Sequence, residues 1–254
     1  MLSVQHLTKR YSGIPAVNDV SFVIRPYEVL GYLGPNGSGK TTTVSMLTGL
    51  IAPTQGQILF QGQDIAKDRI GFKRRLGYVP EIPYIYPHLS GLEYLQLCGR
   101  LRGMPEHRMN EKINALLEAF GLHGSRHSLL SAYSKGMKQK ILISAAILHD
   151  PDLLIFDEPL SGLDVTSALV FRHLVKALSQ EGKTILYCSH VLEVVEKVCT
   201  HVMILRKGQV VAYDSVEGLR ALANLPSLED IFAQLVLQED TEKIAHGLVS
   251  IMKA

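Results

Sequence analysis

Apolar positions between residues 2 and 33 fall in short alternating sets, Val4, Val17, Val20, Phe22, Ile24 and Val29-Leu30, separated by turn signals at Ser12-Gly13 and Pro26. Period-two alternation between turn residues predicts short paired strands. Val44, Met46, Leu47 and Leu50 then mark an apolar helix, a Pro53-Thr54-Gln55-Gly56 turn follows, and strands are expected over 57–60 and 76–79. From residue 83 to 148 the texture is helical, with helices over 91–101 and 105–120 and another beginning near Ser134. Met109, Ile113, Leu116, Leu117 and Phe120 recur at helical spacing, which makes them core. Strand and helix alternate again over 152–157, 165–180 and 184–189, with a helix from Val191. Lys207-Gly208 punctuates a hairpin of 201–206 with 209–213. Ser227 is a helix-capping residue before an apolar stripe of Leu228, Ile231, Phe232 and Leu235 that should pack on the domain. The pattern is α/β, a mixed core carrying an all-helical insertion.

Three stretches in this pattern carry chemistry. Gly34-Pro35-Asn36-Gly37-Ser38-Gly39-Lys40-Thr41 follows the apolar run 29–33 and satisfies G-x-x-x-x-G-K-[ST] between a strand and a helix. Its glycines permit backbone conformations in which successive N–H groups face one concavity, and the helix that follows aims its positive end there. Such a loop holds a nucleoside triphosphate. Lys40 is expected on the β- and γ-phosphates, Thr41 on Mg²⁺, and Thr42 on a further phosphate oxygen. Leu153-Leu154-Ile155-Phe156-Asp157-Glu158 reads as a buried strand delivering two acids to its end, Asp157 for the Mg²⁺ shell and Glu158 for the attacking water. His190 closes another predicted strand and is placed either to reach the same edge and donate to the γ-phosphate or to serve as a hydrogen-bonded structural histidine.

Composition removes several alternatives. A chain of 254 residues with 46% hydrophobic residues can bury a real core. Its net charge of +2 supplies no electrostatic reason for a nucleic acid partner, and Lys73-Arg74-Arg75 reads as a solvated helix face. Cys98, Cys188 and Cys199 are scattered and form no C-x-x-C pair, which suits buried thiols in a reduced, cytoplasmic setting. The N-terminus has no secretory apolar segment, and the run 141–148 is far short of the ~20 residues that span a bilayer. Any membrane role is therefore expected through another subunit.

In order and kind, these motifs resemble the nucleotide-binding subunit of an ATP-binding-cassette (ABC) transporter, over nearly the whole chain. Tyr11 matches the aromatic that stacks on adenine, and Gly34 to Thr42 match the phosphate loop. Tyr133-Ser134-Lys135-Gly136-Met137, with Lys138-Gln139, matches the signature segment, and Ser161-Gly162-Leu163-Asp164 the loop after the paired acids. Asp157, Glu158 and His190 match the metal-holding acid, the catalytic acid and the switch histidine. The resemblance implies a P-loop NTPase of the ABC type over 1–238. That domain would have a RecA-like mixed-sheet core, an antiparallel β subdomain and a helical subdomain at about 83–148. Residues 239–254, with Ile244, Leu248 and Ile251 at helical spacing, would be a tail or a small interface helix.

The same resemblance implies composite ATP sites in a head-to-tail dimer. There the Ser134 hydroxyl and Gly136 N–H of one copy cap the γ-phosphate held by the other, and Asp164 lies between the two sites. It also implies a separate membrane permease and a place on the inner face of the cell membrane. Two departures from the family pattern stand out. Y-S-K-G-M replaces the commonest L-S-G-G-Q and resembles a variant frequent in ABC-2 type ATPases, mostly exporters; the ending around 227–235 resembles them too. Glu81 stands where the family usually has glutamine, and a carboxylate there can still ligate Mg²⁺. Tyr84, Tyr86 and Leu89 follow it, either as part of the permease-docking groove or as ordinary loop packing. A non-transport ABC ATPase and an importer subunit are the alternatives to an exporter. The transported substrate is not written in this chain.

Overall fold

The computed structural model describes residues 1–223, 225, 227–236 and 251–252. The expected tail or interface helix over 239–254 lies outside them, apart from 251–252.

Strands β1 (Leu2–Tyr11), β2 (Ile14–Ile24), β3 (Val29–Leu33), β4 (Gln55–Phe60), β5 (Gln63–Asp64) and β6 (Leu76–Val79) are joined by helices α1 (Lys40–Leu47) and α2 (Arg69–Arg74). Then follow α3 (Gly91–Leu101), α4 (Glu106–Ala119), α5 (Lys135–Ile147), β7 (Leu153–Asp157), α6 (Val165–Gln180), β8 (Thr184–Cys188) and α7 (Leu192–Val198). The described elements end with β9 (His201–Arg206), β10 (Gln209–Ser215), α8 (Val216–Ala223) and α9 (Leu228–Val236).

Two sheets form. One is antiparallel, in the order β2-β1-β4-β5; the other runs β10-β9-β3-β8-β7-β6, parallel except for β10. The strands β3, β7 and β8 are buried at every position, as central parallel strands covered on both faces must be. Their side chains alternate between two cores. Leu153 and Ile155 join Leu30, Tyr32, Val44, Met46 and the antiparallel sheet, whereas Leu154 and Phe156 face the helices with Leu33, Ile143 and Phe171.

The first two strands are long, 10 and 11 residues, where short strands were expected. Register shifts after Val4 and Leu7, with His6 and Asp19 at positive φ, interrupt the alternation that would have revealed their length. Among the helical elements, α8 is an addition to the sequence expectation, and α2 gives Lys73 and Arg74 the helix expected of that basic run while beginning earlier, at Arg69. Ser90 opens α3 with a capping box: its hydroxyl accepts from the Glu93 N–H at 3.2 Å, and Glu93 accepts from the Ser90 N–H at 2.8 Å. The α9 helix is pinned to the body at both ends. The Leu228 N–H donates to Glu196 at 3.3 Å, Arg206 donates to the Leu235 carbonyl at 3.2 Å, and Arg220 pairs with Glu196.

Candidate nucleotide site

Because β3, β8, β7 and β6 run parallel and adjacent, the segments leaving their C-terminal ends meet along one edge of the sheet. There Gly34, Pro35, Asn36, Gly37, Gly39, Lys40, Thr41 and Thr42 line a cleft of about 710 Å³ with Glu81, Asp157, Glu158 and His190. Four sequence stretches spread over 157 positions thus become one site.

The phosphate loop owes its shape to two glycines above all. Gly37 and Gly39 take φ of +77° and +102°, and a Cβ on Gly39 would lie 2.5 Å from the Ala16 carbonyl. The β9–β10 turn props the loop from behind, since the Gly208 N–H donates to the Ser38 carbonyl at 3.0 Å. The Lys40 ammonium bends over the loop and donates to the carbonyls of Gly34 at 2.5 Å and Pro35 at 3.1 Å. Ser38 is set beneath the loop rather than in the cleft lining, 2% exposed, and its Oγ has no protein partner.

Asp157 ends β7 opposite Cys188 and is buried, 5% exposed. Its carboxyl is pushed up to about 7, first by burial and then by the negative charges of Glu81 and Glu158, against the pull of Lys40. Burial likewise raises the Cys188 thiol, which keeps that neighbour neutral. Glu158 continues the strand pairing by one bond, its N–H to the Cys188 carbonyl at 2.9 Å, then turns the chain with φ +49°. That conformation is uncommon for a residue with a side chain and marks a position held by its surroundings. The Glu158 carboxylate accepts the His190 main-chain N–H at 2.9 Å and the Ser189 hydroxyl at 3.3 Å, and His190 Nδ1 stands 2.9 Å away.

A divalent ion fits this donor set. Among the described residues, no three His, Cys, Asp or Glu side chains are grouped to hold a metal alone. One hydroxyl and one or two carboxylates at a phosphate cradle are what Mg²⁺ uses, its other ligands being phosphate and water. Thr41, Asp157 and Glu81 line the cleft together and would supply such a set.

Other expected site residues lie apart from the cleft. Tyr11 is at the end of β1, 51% exposed, with the Lys9 ammonium 5.5 Å from its ring centroid. Ser134 caps α5 by accepting from the Met137 N–H at 3.2 Å, and Ser134 and Lys135 are exposed. Gly136 packs against the next loop, where a Cβ would come within 2.6 Å of the Gly162 carbonyl. Asp164 caps α6, accepting from the N–H of Ser167 at 2.8 Å and its hydroxyl at 2.6 Å. Gln139, expected at the nucleotide with the signature segment, turns inward instead. It is 4% exposed, and its amide donates to the Pro159 carbonyl at 2.8 Å. One turn into α5, its side chain follows the buried face that carries Ile143 and Ala146.

Sequence reasoning missed Ala16, Leu33, Ser189, Leu192 and Phe232 in the cleft lining. Ser189 had a signal, since it directly precedes His190 at a strand end. Phe232 had none, because nothing in a helical stripe tells which member reaches a site formed some 190 residues earlier.

A family model described as "ABC transporter" matches residues 17–161. The chain is 36% identical over 237 residues to the ABC transporter ATP-binding protein NatA of Bacillus subtilis (strain 168), covering 91% of this chain and 96% of that protein. A solved ATP-binding subunit of an ABC transporter superposes with TM-score 0.88 at 32% identity, over 92% of this chain and 99% of that one. A dimeric ATP-binding cassette in a post-hydrolysis state with ADP and Pi shares the fold, with TM-score 0.78 at 22% identity over 85% and 98% of the two chains. On the phosphate loop, the paired acids and this extent of likeness, the chain belongs to the ABC transporter family, as an ATP-binding subunit that hydrolyses ATP.

Proposed function

We propose that two copies of this chain form composite ATP sites head to tail and power an ABC-2 type exporter through a separate membrane permease. The observation that carries the dimer is a separation. Within one chain the exposed Ser134 end of α5 is outside the cleft lined by Lys40, Thr41 and Glu158, so the γ-phosphate side of that cleft is left for a second molecule to close. A capped helix N-terminus with free polar groups suits an anion held by that second copy.

In this reading Lys40 holds the β- and γ-phosphates while Thr42 and the loop N–H groups of Asn36, Gly37, Ser38 and Gly39 position the rest, with Pro35 fixing the entry to the loop. Tyr11 stacks on adenine from outside the cleft. Thr41 and Asp157, with Glu81 beside them, hold Mg²⁺, which supplies charge neutralisation at the transferring phosphoryl group. Glu158 orients and polarises the attacking water, and His190 donates to the γ-phosphate. Ser134, Lys135, Gly136 and Met137 present the α5 terminus to the partner's nucleotide, and Asp164 lies at the junction.

No helix among the described residues is long and apolar enough to cross a membrane, and in this reading transport runs through a separate permease. Tyr84 and Tyr86, 79% and 62% exposed beside the half-buried Leu89, offer the permease a docking surface. The chain would then sit on the inner face of the cell membrane. Export rather than import rests on the Y-S-K-G-M signature variant and the ending around α9.

The test is the mass of the Glu158→Gln protein in solution with and without Mg-ATP, beside the ATPase rate of the parental chain. An ATP-dependent shift from monomer to dimer is expected; a protein that binds ATP and remains monomeric rules out the unaided homodimer.

A further inference from the structure

The α5 helix touches the segment after the paired acids at three points on one of its faces. Gly136 lies against Gly162, Gln139 donates to the Pro159 carbonyl at 2.8 Å, and Lys140 stands 3.8 Å from Asp164. Positions 136, 139 and 140 share a helical face, so a single rigid element meets the whole turn.

The middle contact bears on Glu158 directly. The residue before a proline is disfavoured in helical conformations, yet Glu158 precedes Pro159 and holds φ +49°. From the sheet side its main chain is retained by its N–H to the Cys188 carbonyl and its carboxylate by Ser189 and His190, while its carbonyl accepts the Ser161 N–H at 3.1 Å. From the other side the chain is retained through Pro159, which has no N–H of its own and whose only polar main-chain group is the buried carbonyl that Gln139 meets. A buried carbonyl deprived of its donor rearranges to find another. With Pro159 restricted in φ, that rearrangement turns the peptide joining Pro159 to Leu160, inside the turn that the Ser161 N–H closes onto the Glu158 carbonyl at 3.1 Å, and so loosens the turn that holds Glu158.

We infer that Gln139 is a positioning residue for Glu158: its amide, by holding the Pro159 carbonyl, keeps the Glu158 carboxylate aimed into the cleft. This rests on the reading of Glu158 as the group that polarises water. Gln139 touches neither nucleotide nor metal in this role, and its contribution is confined to the rate of the chemical step.

The experiment uses the full chain with Gln139→Met, which keeps nearly the same length and volume and removes the donor. The kcat for Mg-ATP hydrolysis is expected to fall by on the order of 10- to 100-fold, with KM within about twofold of parental. In a Glu158→Gln background the same substitution is expected to add no further loss to the single-turnover rate, since the residue acts through the group already removed. Parental kcat in Gln139→Met overturns the inference, and so does an equal further loss in the Glu158→Gln background, or a raised KM with kcat intact. If Gln139→Met lacks a cooperative thermal transition, Gln139→Asn serves in its place. That amide is one methylene too short for Pro159, so the same loss of kcat is expected and parental kcat refutes the role. A Glu158→Gln protein that hydrolyses ATP at the parental rate would instead overturn the reading of Glu158 itself.

Discussion

The main-chain N–H and the ring Nδ1 of His190 both stand 2.9 Å from Oε1 of Glu158, so one carboxylate oxygen ties the end of β8 to the end of β7. The bond from the main chain needs no particular side chain at 190. The bond from the ring does. Replacing His190 by alanine therefore removes the ring proposed to donate to the γ-phosphate while leaving the main-chain bond to Glu158 in place. We expect kcat to fall on the order of 100-fold with little change in ATP affinity, measured by steady-state hydrolysis and nucleotide titration. Loss of binding in the same proportion as kcat would contradict this division.

Glu158→Gln keeps the shape of the side chain and, through its carbonyl oxygen, the acceptor for the His190 main-chain N–H, while its amide nitrogen faces the Ser189 hydroxyl as a donor; it cannot take up a proton. Turnover is expected to drop by at least about 100-fold with Mg-ATP binding retained.

Ser189 connects the same two elements more quietly. Its hydroxyl donates to Glu158 at 3.3 Å and accepts from the Val191 N–H at 3.1 Å. Ser189→Ala should reduce kcat by roughly 5- to 10-fold, in keeping with about 1 kcal/mol for one long hydrogen bond, and leave KM near parental. A kcat equal to parental would show that the His190 contacts orient Glu158 unaided.

Gly39→Ala is expected to fail in two ways. Its φ of +102° is strained for any side chain, and the new methyl would meet the Ala16 carbonyl at 2.5 Å. Destabilisation of about 1–3 kcal/mol should accompany loss of ATP binding, read by thermal unfolding and nucleotide titration. Unaltered affinity would mean that the loop adapts, and the nest geometry would lose its assigned role.

Tyr84→Ala combined with Tyr86→Ala removes exposed rings that contribute little to folding, so stability should change by less than about 0.5 kcal/mol per site. Co-purification with a membrane subunit should be lost while ATP binding persists. Association unchanged in the double variant would return these tyrosines to ordinary surface.

His149 sets a pH dependence of stability away from the site. Burial, and then the Arg102 guanidinium, hold its imidazole down to about 4 from the ordinary 6.5, and its Nε2 lies 3.1 Å from the Leu76 carbonyl. The folded protein keeps this group neutral where the unfolded chain would protonate it. Its contribution is complete above pH 6.5 and is lost as pH falls toward 4. Tm should therefore decline over that window, and the decline should be shallower in His149→Gln.

Local physics made much of this protein legible before any coordinates. A G-x-x-x-x-G-K-T run between an apolar strand and a helix has few uses other than holding phosphate, and an apolar strand ending in Asp157-Glu158 has few reasons to deliver acids except to a site. The helices around Met109, Ile113 and Leu117 were visible because a 3.6-residue period is carried by the sequence itself. The full length of the first two strands was not, since positive φ at His6 and Asp19 comes from sheet register rather than from residue type. Long-range packing alone determined the partners. It turned Gln139 inward onto Pro159, brought Ser189 under Glu158, set Ser38 beneath the loop and carried Phe232 from the far end of the described chain into the cleft wall. Motif spacing encodes what each segment offers, whereas the order of parallel strands and the docking of α5 and α9 dictate which offers meet.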